Sequence, residues 1–574
     1  LGFFPDMAPV WSWMRERVAG LDSPECMNLF GYTGVGTLAM ATKGVRMVHV
    51  DASKISVASA CKISVASMLA SQVVGSIISL QGNINDENGR PVASGSVVES
   101  FIKASAAAGG TAIVGGIGLH LGGGGEEQVV SDSILLAGPG VMLDATASGG
   151  ATAVLSITVM SEATAVGTRV TRTMILCRNS TLQTSTTGSA VAVAASLLVT
   201  RGALTVTDLS VVLDDASSVG SAAMGGTAFV GSVTCITGTV SFVNISGLVI
   251  VARTSILQAS SAGYVTSALA VTVNYGAGPL IARNVVIACY DCQITVSSIS
   301  YASAVSLTTN AQTNDLVMSD VSLLVFRALV MVNTSKDFAS ALMIGAVTFP
   351  KTVSVTNVTL AAVDSAVWCT AGDAFATAVA VHAAEFGELV DVTNATLAAF
   401  NSSLTVKTFG RHAATVMAVL TTELVDSMVA DQVTILAWRA ILSCTSRFYA
   451  TSLGVVVNYG KGRANEVTNS SIVAINCTID TYAEYNAGTV VILTNNNCCP
   501  TTIDRCTLAM ILCAVRSTSY AANSITVGTV VTTSPGGFSA VVLILCGEGP
   551  IGRSSVLASD PGAALVIHND EFHC

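Results

Sequence analysis

Apolar and polar positions recur along the chain from about residue 170 with a period of about 37 residues. The phrase VTNVTLAAV from Val355 returns as VTNATLAAF from Val392 and as VTNSSIVAI from Val467. Looser copies are MSDVSLLVF from Met318 and ADQVTILAW from Ala430. Self-similarity at a fixed period indicates a repeat architecture. The polar residue at the third position of each phrase, or next to it, is an anchor, and successive anchors lie 36 to 40 residues apart at Asp208, Asn244, Asn284, Asp320, Asn357, Asn394, Asp431, Asn469 and Arg505.

Each period contains three short runs rich in Val, Thr, Ile and Ala, separated by polar turns. One run follows the anchor, the second resembles SSLTVKT from Ser402, and the third resembles TAVAVHA from Thr377. Such runs favour strands over helices. A single coil cannot bury its inward side chains alone, but stacked coils cover one another. The pattern therefore predicts a mainly β protein, a right-handed parallel β-helix with three strands in each coil. A β-propeller is the alternative, although its blades would need four strands.

The recurring asparagine at the anchor predicts a ladder of side-chain amides. Amides at the same position in successive coils can hydrogen-bond to one another, as in stacked cross-β structures. We expect this ladder to face the interior of the coils. The alternative is that these residues only form turns, which asparagine and aspartate favour.

Composition divides the chain into three parts. Residues 1–54 hold 10 charged side chains, whereas the other 520 residues hold 52. At the end of the first part, the hexapeptide KISVAS occurs at Lys54–Ser59 and again at Lys62–Ser67, which indicates a junction. We expect a truncated α/β segment at 1–54, a Ser/Gly/Ala-rich junction or set of capping coils at 55–129, and β-helix repeats at 130–574.

The first part contains a glycine turn between two apolar runs, NLFGYTGVGTLAMATKGVRMVHVDASK. Together with GFFPDMAPVWSWM, it resembles class I S-adenosylmethionine-dependent methyltransferases of the ribosomal RNA cytosine type. The resemblance implies a Rossmann-like fragment in which S-adenosylmethionine is the cofactor. The methionine end of that cofactor would lie against Gly31, Tyr32, Thr33 and Gly34, and Asp51 would hold its ribose. The Asp-Pro-Pro motif of that family is missing, because no two prolines are adjacent.

The repeats resemble the long β-helical surface proteins of kinetoplastid flagellates, of the dispersed gene family type, over roughly residues 130–560. This resemblance implies an extracellular or cell-surface, membrane-associated glycoprotein with a structural or adhesive role and with glycans or cell-surface proteins as partners. Asparagines of an inward ladder could not carry glycan. Eight N-x-S/T sequons permit glycosylation, at Asn179, Asn244, Asn333, Asn357, Asn394, Asn401, Asn469 and Asn476.

Charge and candidate chemistry narrow the functional classes. The net charge of −10 disfavours nucleic acid as a partner of the repeats, because such binding requires phosphate neutralisation. The apolar stretch 104–125 is broken by glycines, so we predict no transmembrane helix. Proteins with the pectin-lyase-like β-helix fold are often enzymes. Asp214 and Asp215 form an adjacent acidic pair in the repeats, and we interpret this pair as a solvated turn. Cys289 and Cys292 lack the second pair that zinc would require.

We therefore expect no catalytic residues and no metal site, and a noncatalytic surface or scaffold protein that carries a remnant of a methyltransferase cofactor site. The alternative is an RNA-modifying methyltransferase of which this chain is an incomplete or chimeric piece. That alternative would place the protein in the cytoplasm.

The first prediction concerns the cofactor. Residues 1–54 supply one half of a cofactor site, so we expect the full chain to bind S-adenosylmethionine with a Kd above about 10 μM, roughly −7 kcal/mol, and to transfer no methyl group. Isothermal titration calorimetry measures this affinity. A tighter Kd that Asp51→Ala weakens would contradict the prediction.

Overall fold

In this computed structural model, the described part of the chain is mainly residues 128–519. Short gaps within that range fall at 162–166, 188–190, 201, 216, 237–241, 264, 275–277, 311–314, 347–350, 386–387, 411, 424, 459–464, 485 and 496–500. Outside it, residues 16–17 and isolated strands are described. The strands form three long sheets and one two-stranded sheet that pairs Glu25–Asn28 with Arg46–His49 in parallel.

The described strands of 128–519 pair only in parallel, each with the equivalent strand of the next coil. The first sheet holds Ser94–Val97, Gln128–Ser131, Ile134–Ala137, Gly167–Arg178, Ala203–Asp214, Phe242–Arg253, Leu280–Tyr290, Leu316–Phe326, Thr352–Val363, Leu389–Phe400, Ser427–Asp431, Thr434–Trp438, Asn465–Thr468, Ser471–Ile475, Thr501–Asp504, Thr507–Ile511, Ser555–Asp560 and Ala563–His568.

The other two long sheets complete each coil. The second holds Ile63–Ser67, Phe101–Ala106, Met142–Ala147, Thr181–Thr186, Ser218–Ala223, Ile256–Ser261, Gln293–Ser298, Leu329–Thr334, Ala366–Ala371, Ser403–Thr408, Ile441–Ser446, Thr478–Ala483 and Ala514–Ser519. The third holds Val73–Val74, Leu80–Gln81, Ala112–Val114, Ile117–Leu121, Thr152–Val154, Ile157–Ser161, Val191–Ala194, Leu197–Val199, Thr227–Val230, Val233–Ile236, Val265–Ala268, Ala270–Asn274, Tyr301–Asn310, Ala339–Ala346, Ala376–Glu385, Ala413–Glu423, Tyr449–Asn458, Asn486–Asn495, Ser524–Thr532 and Ser539–Leu545.

Three parallel sheets with a repeat of about 37 residues form a parallel β-helix, so the predicted fold is confirmed. Inward and outward side chains alternate along the strands, as period-two geometry requires. In Thr352–Val363, for example, Val353, Val355, Val358 and Leu360 are buried. The equivalent residues of neighbouring coils stack upon them, and one hydrophobic core runs through the described coils.

Two corners of each coil are made by a residue in the left-handed conformation. The first corner interrupts the first sheet at Asp132, Arg172, Asp208, Gly247, Asn284, Asp320, Asn357, Asn394, Gln432, Asn469 and Arg505. The second corner joins the first sheet to the second at Gly140, Asn179, Asp215, Thr254, Asp291, Arg327, Asp364, Asn401, Arg439, Asn476 and Leu512. Aspartate and asparagine visit this conformation more readily than most residues, which explains their recurrence.

The predicted ladder exists, but its predicted direction was wrong. The Asn394 Nδ2 donates to the Asn357 Oδ1 at 2.8 Å, and the Asn357 Nδ2 donates to the Asp320 Oδ1 at 3.2 Å. All three side chains are exposed, because the left-handed corner turns the side chain out of the coil.

Two of the predicted anchors are also not corner residues. Gly247 and Gln432 occupy the corner in place of Asn244 and Asp431. The turns between coils differ in length. The spacing of the phrases alone therefore did not show that the corner residue lies one to three residues after the predicted anchor in these two coils.

The residue after the second corner is small and faces inward. It is serine in several coils, including Ser365 and Ser402. The Ser365 Oγ donates to the Val363 carbonyl at 2.7 Å and accepts from the Ala328 N–H at 3.1 Å. The Ser402 Oγ accepts from the Ser365 N–H at 3.1 Å. These side chains thus hydrogen-bond to backbone groups that the corner removes from strand pairing.

The second prediction concerns the corner conformation. Asn394→Val should lower the free energy of unfolding by about 1–2 kcal/mol, because a β-branched residue is strained at a positive φ. Chemical denaturation followed by circular dichroism measures the change. The control is Thr396→Val, which places the same side chain outward on a strand and should have little effect.

The reciprocal substitution is Thr254→Asn, because Thr254 is a β-branched residue at φ 47°. Replacement by asparagine should raise the free energy of unfolding by about 1 kcal/mol. The prediction would be contradicted if Asn394→Val left the free energy of unfolding unchanged and Thr254→Asn lowered it. That result would show that the corner conformation does not limit stability.

Candidate ligand-binding surface

An aromatic column lies at the end of the first sheet, at the residue just before the second corner. Over five coils this column consists of Tyr290, Phe326, Val363, Phe400 and Trp438. The side chains point away from the core, and Trp438 is 47% exposed. Ring centroids of Tyr290 and Phe326 lie 6.1 Å apart, and those of Phe400 and Trp438 lie 6.2 Å apart. Strand stacking repeats the column at about 4.8 Å per coil.

A polar column runs directly beside the aromatic one. Its members are the second-corner residues Asp291, Arg327, Asp364, Asn401 and Arg439. Two bonds of 2.7 Å join the Arg327 guanidinium to the Asp291 carboxylate. The Asn401 Nδ2 donates to the Asp364 Oδ1 at 3.2 Å. The two columns together offer apolar faces next to hydrogen-bonding groups.

Arginines connect the two columns. The Arg327 guanidinium lies 4.8 Å from the Phe326 ring centroid, and the Arg439 guanidinium lies 5.6 Å from that of Trp438. Within the described part of the chain, no carboxylate lies within ion-pair distance of Arg439. Its charge is therefore available to a ligand that rests on Trp438.

An open groove of about 760 Å³ follows the polar column on its other side. Polar corner residues from Thr254 to Asn401 form one wall. The first outward residues of the second sheet, including Ile256, Gln293 and Leu329, form the other. The corner surface, by which we mean the two columns and this groove, is therefore long, narrow and of mixed polarity.

The titratable groups of the corner surface are poorly suited to catalysis. The hydrogen bond from Arg327 lowers the pKa of Asp291, so this carboxyl remains ionised and cannot act as a general acid near neutral pH. Burial raises the pKa of the Cys292 thiol beneath the groove, which keeps it protonated and weakly nucleophilic. These groups can hold a ligand but are not activated.

The acidic pair Asp214 and Asp215 lies at the second corner of an earlier coil. Asp215 is the corner residue, at φ 61°, and it is exposed. The Arg178 Nε is 3.7 Å from its Oδ2, with both side chains about 60% exposed. Asp215 therefore lies in a solvated turn, as predicted, whereas Asp214 is half-buried at the end of the strand Ala203–Asp214.

The residues predicted to bind S-adenosylmethionine, Gly31, Tyr32, Thr33, Gly34 and Asp51, lie outside the described residues. Cys289 faces the core of the first sheet and Cys292 follows the second corner. Among the residues that the structure describes, no group of three or more metal-ligating side chains occurs. The same residues include no helix of the length and apolar character that a membrane crossing needs.

Sequence reasoning did not identify the aromatic column. Its signal was nevertheless present, because three of the repeated phrases end in Phe326, Phe400 and Trp438. An apolar residue that closes a strand is ordinarily assigned to the core. The constant offset from the corner was the feature that could have revealed a surface column.

A buried histidine lies on the outer side of the third sheet. His382 alternates with the core residue Val381, and the rings of Phe338 and Phe375 cover it at centroid distances of 5.2 and 5.7 Å. Its side chain is fully buried. Burial lowers the pKa of His382 to about 3, so the imidazole is neutral at physiological pH.

No protein-family model matches this sequence, and neither a curated protein nor a solved structure is significantly similar to it. The assignment of function therefore rests on the chemistry of the described surface.

The third prediction concerns acid sensitivity. The unfolded chain takes up the His382 proton near pH 6.5 and the folded chain only near pH 3, so stability should fall with decreasing pH between these values. By pH 4.5 this group alone should remove about 3 kcal/mol. His382→Leu should reduce the loss between pH 7 and pH 4.5 by that amount, measured by denaturant unfolding. An unchanged loss would show that the protonated imidazole is tolerated.

Proposed function

We propose that this chain is a noncatalytic β-helical binding protein that holds an extended glycan along the corner surface. The observation that carries the proposal is the aromatic column beside the polar corner residues. Sugar rings present C–H groups on their faces and hydroxyl groups at their edges. Aromatic side chains offer apolar contact for those faces. Asp364, Asn401 and Arg439 supply acceptors and donors for the edges.

The repeat of the surface supports a polymeric ligand. Each coil advances the columns by about 4.8 Å, so equivalent groups recur at a fixed interval. Phe326 and Phe400 lie two coils apart, which suits a chain whose successive units present the same face in turn. Binding along several coils also distributes weak contacts, as expected of an adhesive role.

Charge narrows the class of glycan. Asp291 and Arg327 neutralise one another, and Asp364 accepts from a neutral amide. Arg439 is the cation available beside Trp438. A neutral polysaccharide, or one with isolated carboxylates, therefore suits the surface better than a densely anionic one.

A location on the cell surface is part of the same proposal. Three of the eight sequons lie at exposed first corners, and two more, Asn179 and Asn476, lie at exposed second corners beyond the corner surface, where an attached glycan would meet solvent. This placement supports an extracellular, glycosylated scaffold. The expectation that an inward ladder would exclude glycan from the anchors no longer applies, because Asn357, Asn394 and Asn469 are exposed.

One observation supports a second function at the other end of the chain. Glu25–Asn28 and Arg46–His49 pair in parallel on either side of the glycine turn. Parallel neighbours need a crossover connection, as in the cofactor-binding half of a methyltransferase. S-adenosylmethionine binding therefore remains the second proposal, and the calorimetric titration tests it separately.

The fourth prediction concerns the aromatic column. Trp438→Ala should weaken binding to the preferred polysaccharide at least about tenfold, which corresponds to roughly 1.4 kcal/mol, because it removes the most exposed ring of the column. A panel of immobilised neutral and uronate-containing polysaccharides identifies the ligand with the full chain, and affinity electrophoresis measures the variants.

The control is Trp368→Ala, which removes a tryptophan of similar exposure, 40%, from the outer face of the second sheet. It should bind as the wild type does. Equal losses in both variants would remove the case for the corner surface. Release of reducing or unsaturated sugars that Asp214→Asn together with Asp215→Asn abolishes would show an enzyme instead.

A further inference from the structure

Two cysteines occupy the same position in neighbouring coils. Cys477 follows the corner residue Asn476, and Cys513 follows Leu512. Thr478 and Ala514 are register partners, and the Ala514 N–H donates to the Cys477 carbonyl at 2.9 Å. The two cysteines are therefore stacked at the inner side of the second corner. Of the nine cysteines whose side chains the structure describes, no other two are stacked in adjacent coils.

The stacked geometry suits a covalent bond between the coils. Strand stacking places the two Cα atoms about 4.8 Å apart, and disulfides span about 4.4–6.8 Å. Each thiol faces the carbonyl two residues before it, Cys477 at 3.3 Å and Cys513 at 3.4 Å. The register of the flanking strands therefore places both thiols on the same inner side of adjacent coils.

We infer that Cys477 and Cys513 form a thiol–disulfide exchange site, which a low-molecular-weight disulfide such as oxidised glutathione converts into a disulfide between two coils. Both cysteines are free thiols in this structure. The oxidised bond would close a loop of 36 residues and tie the last described coil of the second sheet to the coil before it.

The exchange takes place in two balanced steps. The Cys513 thiolate attacks one sulfur of the small disulfide, forms a mixed disulfide and releases one small thiolate. Cys477 then gives up its proton to solvent and attacks the Cys513 sulfur, which forms the protein disulfide and releases the second small thiolate. The protein loses two hydrogens, and the small disulfide is reduced to two thiols.

Accessibility and ionisation give the two cysteines different roles. Cys513 is half-buried, whereas Cys477 is 3% exposed. The neighbouring Cys477 thiol lowers the pKa of Cys513, and the same pairing raises the pKa of Cys477. Burial raises the pKa of Cys506, at the first corner, to about 11. Cys513 is thus the attacking thiol and Cys477 the resolving one.

The test treats the full chain with oxidised glutathione at pH 7.4, alkylates the remaining thiols and maps peptides by mass spectrometry. We expect a linked peptide pair joining Cys477 to Cys513, which dithiothreitol separates, and a higher unfolding temperature for the oxidised protein. Cys477→Ser should leave glutathione on Cys513.

Serine is native at this corner position in other coils, as at Ser365 and Ser402, so these variants should fold. The matched control is Cys292→Ser, which removes a cysteine from the same corner position of a coil without a cysteine neighbour. It should leave the linked pair unchanged. Absence of the linked pair in the wild type, or reaction of Cys513 no faster than that of Cys292, would overturn the inference.

Discussion

Backbone pairing between successive coils, in register, is the constraint on which the rest of this structure depends. At the second corner, for example, the Asn401 N–H donates to the Trp438 carbonyl at 3.0 Å, and similar bonds continue from coil to coil. Because each residue pairs with its equivalent one period later, every position becomes a column parallel to the helix axis. The core, the aromatic column, the polar corner residues and the stacked cysteines are all columns of this kind. A chemical property that recurs at one position thus becomes an extended surface.

The corners decide which residues such columns contain. A positive φ favours asparagine, aspartate and glycine, and the residue after the second corner must be small enough to face inward. In Asn401-Ser402-Ser403, asparagine suits the positive φ of the corner, a small serine faces inward after it, and a second serine begins the outward face of the next strand. Fold requirements alone therefore produce an N-x-S sequon. Six of the eight sequons occur at corners, so selection for the corner explains much of their number.

The sequence predicted the period, the three strands per coil and the stacking, because these follow from spacing and from the residue types that strands favour. It did not predict that the amides of Asn357 and Asn394 face outward, since spacing gives the position of a residue and not the direction of its side chain. The left-handed backbone supplies that direction. The shift from Asn244 to Gly247 was hidden by turns of unequal length. The sequence shows Phe400 and Trp438 at the same position of two repeats, but an apolar residue at the end of a strand is normally part of a core. Of the glycine-containing stretch 28–54, only Asn28 and Arg46–His49 are described, so the predicted cofactor residues lie outside the described part of the chain.

Each coil contacts little beyond the coils directly before and after it, and this has a consequence for inheritance. Duplication or deletion of one whole period of about 37 residues leaves every remaining interface of the same kind, and all columns stay aligned. Recombination between two similar phrases, such as those beginning at Val355 and Val392, would produce such a change in one event. The length of the molecule would then change in increments of about 4.8 Å. Proteins descended from one such gene can therefore differ in the length of the β-helix while they keep the same surface chemistry.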